Sequence, residues 1–183
     1  MTTPRTRLGS VALLLALSAP PHAPARGAAV QDAAAPGARP APGRDLGAAS
    51  AAQAVAAAVA ACAERGWPVT AAAVDRAGQV KALLRGDGAG SHTVAAALAK
   101  AYAAAGLRDS TTAALDAVQR VLGTRHLPAI EDVLNVGGGL PIHAGDKPGA
   151  EMAGAIGVSG APSGSLDEGC ARAGVARARE GPR

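Results

Sequence analysis

Apolar residues recur at helical spacing within residues 46–65. Val55, Val59 and Cys62 lie at positions i, i+4 and i+7, which places them on one face of a helix. Asp45 can cap the start of this helix, and a glycine follows its end. We therefore predict that a folded domain begins near Asp45 with a helix whose apolar stripe ends at Cys62.

A β-hairpin is predicted after this helix. Residues 69–74 and 79–84 are extended apolar runs on either side of the turn sequence DRAG. A glycine-rich break at residues 86–90 ends the second run.

Two more helices are predicted in the middle of the chain, over residues 92–105 and 111–122. Ser91 and Ser110 are placed to cap them. The predicted core face of the second of these helices is Leu115, Val118 and Leu122. A strand is predicted at residues 133–136.

The C-terminal stretch 137–174 carries the most informative pattern. The sequence GGGLPI predicts a turn, residues 155–158 an apolar strand and residues 159–164 a loop of small residues, and a last helix is predicted over residues 166–179. A hairpin mixed with helices and further strands predicts an α+β fold with a mainly antiparallel sheet.

Residues 1–29 are predicted to form a secretory signal. Arg5 and Arg7 precede an apolar segment at residues 8–19. Small residues at 27–29 offer a cleavage site, and residues 23–25 are a competing one. The apolar segment is too short for a membrane span, which needs about 20 apolar residues. We therefore expect a secreted or periplasmic protein that has no transmembrane span once the signal is removed.

Composition changes this picture in two ways. Residues 30–44 are rich in Pro, Ala and Gly and indicate a disordered tether, so the predicted domain is 45–183. The net charge of +4 falls to +1 without residues 1–29, and this argues against a nucleic-acid partner, which needs a clustered basic surface. Alanine dominates and Phe is absent, so we expect a thin core, close contact between helices and sheet, and a homo-oligomer.

Several segments resemble the GlcG/HbpS family in their order and spacing. VTAAAVDRAG resembles the first hairpin of that family, RGDGAGSHT resembles the loop into its second helix, and GAIGVSGAP and DEGCARAG resemble its closing motif. The resemblance covers about residues 46–180. It implies a profilin-like fold, in which a mainly antiparallel sheet is flanked by helices and often assembles into oligomers. It also implies a domain that binds or degrades haem.

The same resemblance draws attention to the helix at residues 92–105. AKAY is similar to the family's Lys-Ala-aromatic core, and it contains Lys100 and Tyr102. The family often has Thr at the next position, where it can face haem. That position is Ala103 here, so a polar contact is excluded.

Haem iron accepts His, Met, Cys or Tyr as an axial ligand. The candidates beyond the predicted signal are His92, His126, His143, Met152 and Tyr102. His92 is the strongest, because small residues follow it at i+4, i+7 and i+11: Ala96, Ala99 and Ala103. A flat macrocycle could lie against this face, with His92 as metal ligand and Lys100 beside a propionate. The alternative is that the face packs against another helix and that Tyr102 anchors the core.

The sequence contains no recognisable catalytic constellation, neither a nucleophile elbow nor zinc-ligand spacing. The loop 159–164 precedes a helix, but Asp167 and Glu168 in the first turn disfavour an anion there. We therefore predict an exported domain that binds haem for uptake, buffering or sensing. Two alternatives stay open: a non-haem accessory or structural oligomer that binds a protein or a small acid, and haem breakdown by bound haem with a reductant.

The two cysteines form a candidate disulfide. An exported chain with two Cys favours a bridge. In the fold that the resemblance implies, the first and last helices can share one face of the sheet, which would bring Cys62 and Cys170 together. The alternative is a pair of buried free thiols.

Overall fold

The computed structural model describes residues 45–126, 129–131, 133–134, 136–145 and 149–180. The predicted secretory signal (1–29) and tether (30–44) lie outside these residues. In chain order the described elements are α1 (Ala48–Ala63), β1 (Thr70–Asp75), β2 (Val80–Arg85), α2 (His92–Leu107), α3 (Thr111–Arg120), a short 3-10 helix (Leu122–Thr124), β3 (Gly139–His143), β4 (Met152–Ser159) and α4 (Gly164–Arg179).

The four strands form one antiparallel sheet in the order β2-β1-β4-β3. Helices α1 and α4 pack together on one face of the sheet, and α2 lies on the other face across β4 and β1. The predicted α+β class, with an antiparallel sheet flanked by helices, is confirmed. No helix in the described part of the chain is long and apolar enough to cross a membrane.

Small side chains let α2 lie almost directly on the sheet. The core between them consists mainly of alanines, and β4 contributes Gly157 at the closest approach. A Cβ on Gly157 would lie 2.2 Å from the carbonyl oxygen of Ala97, so only glycine fits at this position. The alanine-rich composition thus produces the close contact between helix and sheet that was predicted.

The opposite face of the sheet holds the larger core, which includes Ile142, Ile156 and Val158. Cys62 on α1 and Cys170 on α4 are fully buried in this core and are joined as a disulfide, with Cα atoms 5.6 Å apart. The structure therefore contains the bridge that was expected from the shared helix layer.

The ends of two helices differ from the prediction. Helix α1 starts after Gly47 and is not capped by Asp45, because the Asp45 carboxylate accepts a hydrogen bond from Nε of Arg76 at 2.7 Å. Helix α2 continues through Gly106 to Leu107, and Arg108 ends it in a left-handed conformation with φ of 56°. Tertiary contacts outweigh the local cap signals at these ends.

The predicted core face of α3 is wrong. Leu115 and Val118 are only half-buried, and Leu122 lies in the 3-10 helix with 74% of its surface exposed. Instead, α3 is held at its first turn, where Thr111 and Ala114 are buried. The helix itself was predicted correctly from its periodicity. Which side of α3 is buried depends on where the neighbouring elements lie.

The predicted strand at residues 133–136 is also absent at its described positions, 133, 134 and 136. The strand lies later, at Gly139–His143, within the GGGLPI segment that was predicted as a turn. It pairs with β4 along the edge of the sheet, where Pro141 is tolerated because an edge strand leaves one side of its backbone unpaired.

Candidate functional site

A groove runs between α2 and β2 on one face of the sheet. Strand β2 is an edge strand, and α2 leaves the β2 residues beside it uncovered, so that Val80 is 56% exposed and Leu83 39% exposed. The groove has a volume of about 330 Å³, at the lower end of the range for small-molecule pockets. Its lining is largely apolar: Val74, Gly78, Val80, Ala95, Leu98, Ala99 and Tyr102.

Tyr102 closes one end of this groove. Its ring lies against the hairpin turn, where a Cβ on Gly78 would come within 2.8 Å of Cδ2 of Tyr102. Tyr102 is 44% exposed, so the alternative prediction that it anchors the core is wrong. The core does not need this aromatic ring, because alanines fill the space between α2 and the sheet.

The exposed face of α2 leads from Tyr102 back to His92. His92, Ala95, Ala99 and Tyr102 lie at i, i+3, i+7 and i+10, and the last three line the groove. The predicted face, which included Ala96 and Ala103, is therefore partly wrong: Ala103 is 1% exposed and is not among the lining residues. Eleven residues make about three helical turns, so Ala103 lies almost in line with His92 along α2. Its burial shows that neighbouring elements cover this line toward the C-terminal end of the helix.

His92 lies at the start of α2, at the other end of its exposed face. It is exposed, and its imidazole folds back over Gly90, where a Cβ would lie 2.6 Å from Cε1 of the ring. Within the described residues the His92 side chain has no hydrogen-bond partner. Its ring nitrogens can therefore bind a ligand without breaking an existing interaction.

Arg85 is not among the residues that line the groove, but it lies at the end of the α2–β2 pair where His92 lies. It was not predicted as a site residue. It is the last residue of β2 and pairs with Thr70, so the two side chains share a face of the sheet. The hydroxyls of Thr70 and Thr93 are 2.7 Å apart, which ties this point of the sheet to the first turn of α2. One feature of the sequence could have pointed to Arg85: it directly precedes the glycine-rich loop at residues 86–90, which resembles a loop of the family.

Lys100 does not border the groove. Its side chain is buried, donates to Oδ2 of Asp167 at 2.7 Å and to the carbonyl of Val158 at 3.0 Å, and so joins α2 to β4 and α4. The expected pairing of Lys100 with a haem propionate is therefore corrected: its three N–H donors face inward, because the helix turns this position toward the sheet.

Asp167 is held by this lysine and by the loop before α4. Burial raises the pKa of the Asp167 carboxyl above its usual range, and the hydrogen bond and charge of Lys100 oppose this rise. Its Oδ1 accepts from the backbone N–H of Ala161 at 2.8 Å. This N–H of the loop at residues 159–164 therefore binds Asp167 and is not available to an anionic ligand. The loop acts as a turn, which the sequence favoured.

The glycine motif that stands out in the sequence also proves structural. Gly138 has φ of 123° and lies against the Lys100–Asp167 pair, where a Cβ would be 3.0 Å from Nζ. The hydroxyl of Thr111 accepts from the N–H of Gly139 and donates to the carbonyl of Val136. These contacts join the start of α3 to β3, so the motif has a structural role.

The other candidate iron ligands lie apart from the groove. His143 borders a separate cavity of about 420 Å³ between β3 and α4, together with Arg172 and Arg179. His126 is exposed after the 3-10 helix, and Met152 is half-buried at the start of β4. Among the residues that the structure describes, no three metal-binding side chains form a cluster.

Comparisons with known proteins identify the family to which this chain belongs. The family model of haem degrading HbpS-like proteins matches residues 46–176, and the chain belongs to this family. Among solved structures it is similar to HbpS, at 38% identity over 72% of this chain and 89% of that chain, with a TM-score of 0.65. A double mutant of Streptomyces reticuli HbpS is also 38% identical and has the same TM-score, over 72% of this chain and 86% of that chain.

Two further solved structures are similar to this chain. The Klebsiella pneumoniae protein ORFY is 28% identical over 72% of this chain and 88% of that chain, with a TM-score of 0.64. The PduOC haem complex shares the fold at 24% identity, with a TM-score of 0.59 over 68% of this chain and 88% of that chain. No curated protein matches the chain in sequence.

Proposed function

We propose that this protein is an exported domain that binds haem in the groove between α2 and β2. The observation that carries the proposal is an open apolar groove on the same helix face as an exposed His92 without a hydrogen-bond partner in the described structure. The description of the family as haem degrading supports a haem-related function. Uptake, buffering and sensing are the roles that an exported haem-binding domain could serve.

The residues of the groove fit the chemistry of haem. Apolar walls from Ala95, Leu98, Ala99 and Val80 can cover a flat hydrophobic ring, and small side chains let the ring approach the helix closely. His92 would hold the iron through a ring nitrogen, and the phenol of Tyr102, at the other end of the helix face, is the alternative donor. Bound haem would supply the redox chemistry, while this chain binds the ring and limits access of water.

An alternative function is that of a non-haem accessory or structural oligomer. Val80, Leu83 and Leu84 are exposed on the edge strand β2, and an edge strand can pair with a second chain. A homo-oligomer that covers the groove would compete with haem for the same surface. Size-exclusion chromatography with light scattering, with and without haemin, separates these functions: haem binding leaves a spectrum, whereas a purely structural oligomer does not.

Replacing His92 by Ala should weaken haemin binding. We expect one haemin per chain in the parent, with a Soret band that differs from that of free haemin. In His92→Ala we expect a shifted band and an affinity lower by roughly tenfold, because the iron loses an axial nitrogen. The measurement is a spectrophotometric titration, with His126→Ala as the matched control of an exposed histidine away from the groove. An unchanged band in His92→Ala would exclude this ligand, and no shift in the parent would refute the haem proposal.

Export predicts a mature chain that starts near Val30. Arg5, Arg7 and the apolar segment at residues 8–19 provide the signal for cleavage. Expression of the full chain in a secreting bacterial host, followed by N-terminal sequencing of the protein outside the cytoplasm, measures the cleavage site. Recovery only of cytoplasmic protein that retains Met1 would refute export.

A further inference from the structure

We propose that Arg85 forms a carboxylate-binding subsite at the His92 end of the groove. This inference rests on the proposed function, and it names the part of the ligand that the groove recognises. The ligand would be a flat apolar ring that carries carboxylates on one edge, and Arg85 would bind that edge.

The relative direction of α2 and β2 brings Arg85 to this end. Tyr102 contacts the hairpin turn at Gly78, and Thr93 contacts Thr70, which pairs with Arg85. The helix therefore runs beside the strand in the opposite direction. Ten residues of α2 from Tyr102 back to His92 span about 15 Å, and the five steps of β2 from Val80 to Arg85 span about 17 Å. The two elements end together, with Arg85 and His92 at the same end.

The loop between them contacts both side chains. The guanidinium of Arg85 donates from Nε to the carbonyl of Ala89 at 2.9 Å, and Nη2 donates to the same oxygen. The next residue is Gly90, over which the His92 imidazole lies. Arg85 and His92 thus flank one short piece of backbone.

The guanidinium is anchored but keeps binding capacity. An arginine has five N–H donors in a planar fork, and the carbonyl of Ala89 takes two of them. The Nη1 side of the fork can bind a carboxylate with two parallel hydrogen bonds, which a lysine cannot do. Anchoring at Ala89 reduces the conformational entropy that Arg85 loses on binding.

Three other cations near the groove each have an acidic partner. Lys100 is buried with Asp167, and Nζ of Lys81, on β2 near the hairpin turn, lies 3.7 Å from Oδ2 of Asp75. Arg76, in the hairpin turn, pairs with Asp45 and Glu151. An anionic ligand in the groove therefore meets its accessible positive charge at the Arg85 end, beside the positively polarised start of α2.

A comparison of a porphyrin diacid with its dimethyl ester tests this subsite. Haemin and haemin dimethyl ester present the same ring and iron, but only haemin carries carboxylates. We expect the parent to bind haemin roughly tenfold more tightly than the ester, with the difference shrinking at high salt. Arg85→Gln should lose that preference: its haemin affinity falls by roughly tenfold, and its ester affinity stays within about twofold of the parent.

Two further variants complete the experiment. Arg85→Lys keeps the charge but not the fork and should fall between the parent and Arg85→Gln. Arg120→Gln is the matched control, because Arg120 is an exposed arginine on α3 that pairs with Asp116 in its own helix. Circular dichroism and a thermal melt check that each variant is folded.

The outcomes separate this inference from the proposed function. Binding of both porphyrins by the parent with equal affinity, or an unchanged haemin affinity in Arg85→Gln, would overturn the subsite and leave haem binding intact. Failure of the parent to bind either porphyrin would overturn the proposed function and the subsite with it. Loss of ester binding in Arg85→Gln would also overturn the subsite, since it would indicate a structural role for Arg85.

Discussion

Replacing Lys100 by Met should lower the free energy of unfolding by about 3–5 kcal/mol at neutral pH. The reason is that Asp167 stays buried when its cation is removed, and an uncompensated buried charge is far more costly than a buried pair. The pair also connects α2 with β4 and α4, so its loss affects contacts across the sheet. Urea unfolding, followed by circular dichroism, measures the change.

The effect of Lys100→Met should depend on pH in a defined direction. Burial raises the folded-state pKa of Asp167 above its unfolded value of about 3.9. The folded state therefore binds a proton more readily, and stability falls as the pH rises from about 4 through the folded pKa. Removal of Lys100 takes away the contact that holds this pKa down. The stability gap between parent and variant should thus narrow as the pH is lowered toward 4.

Two controls test this interpretation. Lys81→Met removes an accessible lysine from β2 and should cost at most about 1 kcal/mol. Lys100→Met combined with Asp167→Asn removes both charges and should recover part of the lost stability. A loss below about 1 kcal/mol in Lys100→Met, or a loss that is the same at pH 5 and pH 8, would contradict a charged pair at this position.

Replacing both cysteines by Ala should also destabilise the protein strongly. The disulfide closes a loop with a sequence separation of 108 residues. Chain-entropy estimates for a loop of this length give on the order of 4–5 kcal/mol. The gain is large relative to the total stability of a domain, which is about 5–15 kcal/mol. We expect Cys62→Ala with Cys170→Ala to be partly unfolded at 37 °C, as judged by circular dichroism and urea unfolding.

The parent protein in reductant is the matched control for this pair. Reduction should reproduce most of the loss, because it opens the same loop without removing side-chain volume. Thiol titration in denaturant without reductant should find no reactive thiol in the parent. Two reactive thiols per chain, or equal stability of the parent and the double variant, would contradict the bridge.

Both predictions concern contacts of α4. The disulfide holds α1 to α4, and the Lys100–Asp167 pair holds α4 to α2 across the sheet. Both interactions compensate for an alanine-rich core, in which each side chain buries little apolar area. The groove depends on this frame, since α2 must be fixed in place beside an uncovered β2.

Much of the candidate site could be anticipated from the helix at residues 92–105. His92 and Tyr102 were identified by residue type and by the family resemblance, and both lie on the exposed face of α2. The orientation of that helix was harder to predict. Alanines lie on all sides of α2. The alanine pattern therefore does not distinguish the helix face that packs against the sheet from the face that lines the groove.

Lys100 and Arg85 show the limit of sequence reasoning more clearly. Both are cations near the same helix, and the sequence favoured Lys100 because of its place in a familiar segment. The structure buries Lys100 against Asp167, 67 positions away, and leaves Arg85 accessible at the end of β2. A partner so distant in sequence leaves no local signal, since its position depends on how α4 docks against the sheet.

By itself, the sequence determined the class of fold, the hairpin, the four main helices and the family. These features follow from local periodicity, from turn residues and from the order of short motifs along the chain. Three features were decided by the tertiary structure alone. The glycine motif forms an edge strand, α3 is buried at its first turn, and a groove lies between α2 and β2. These features depend on packing between distant segments, and a free energy shared among many long-range contacts cannot be read from neighbouring residues.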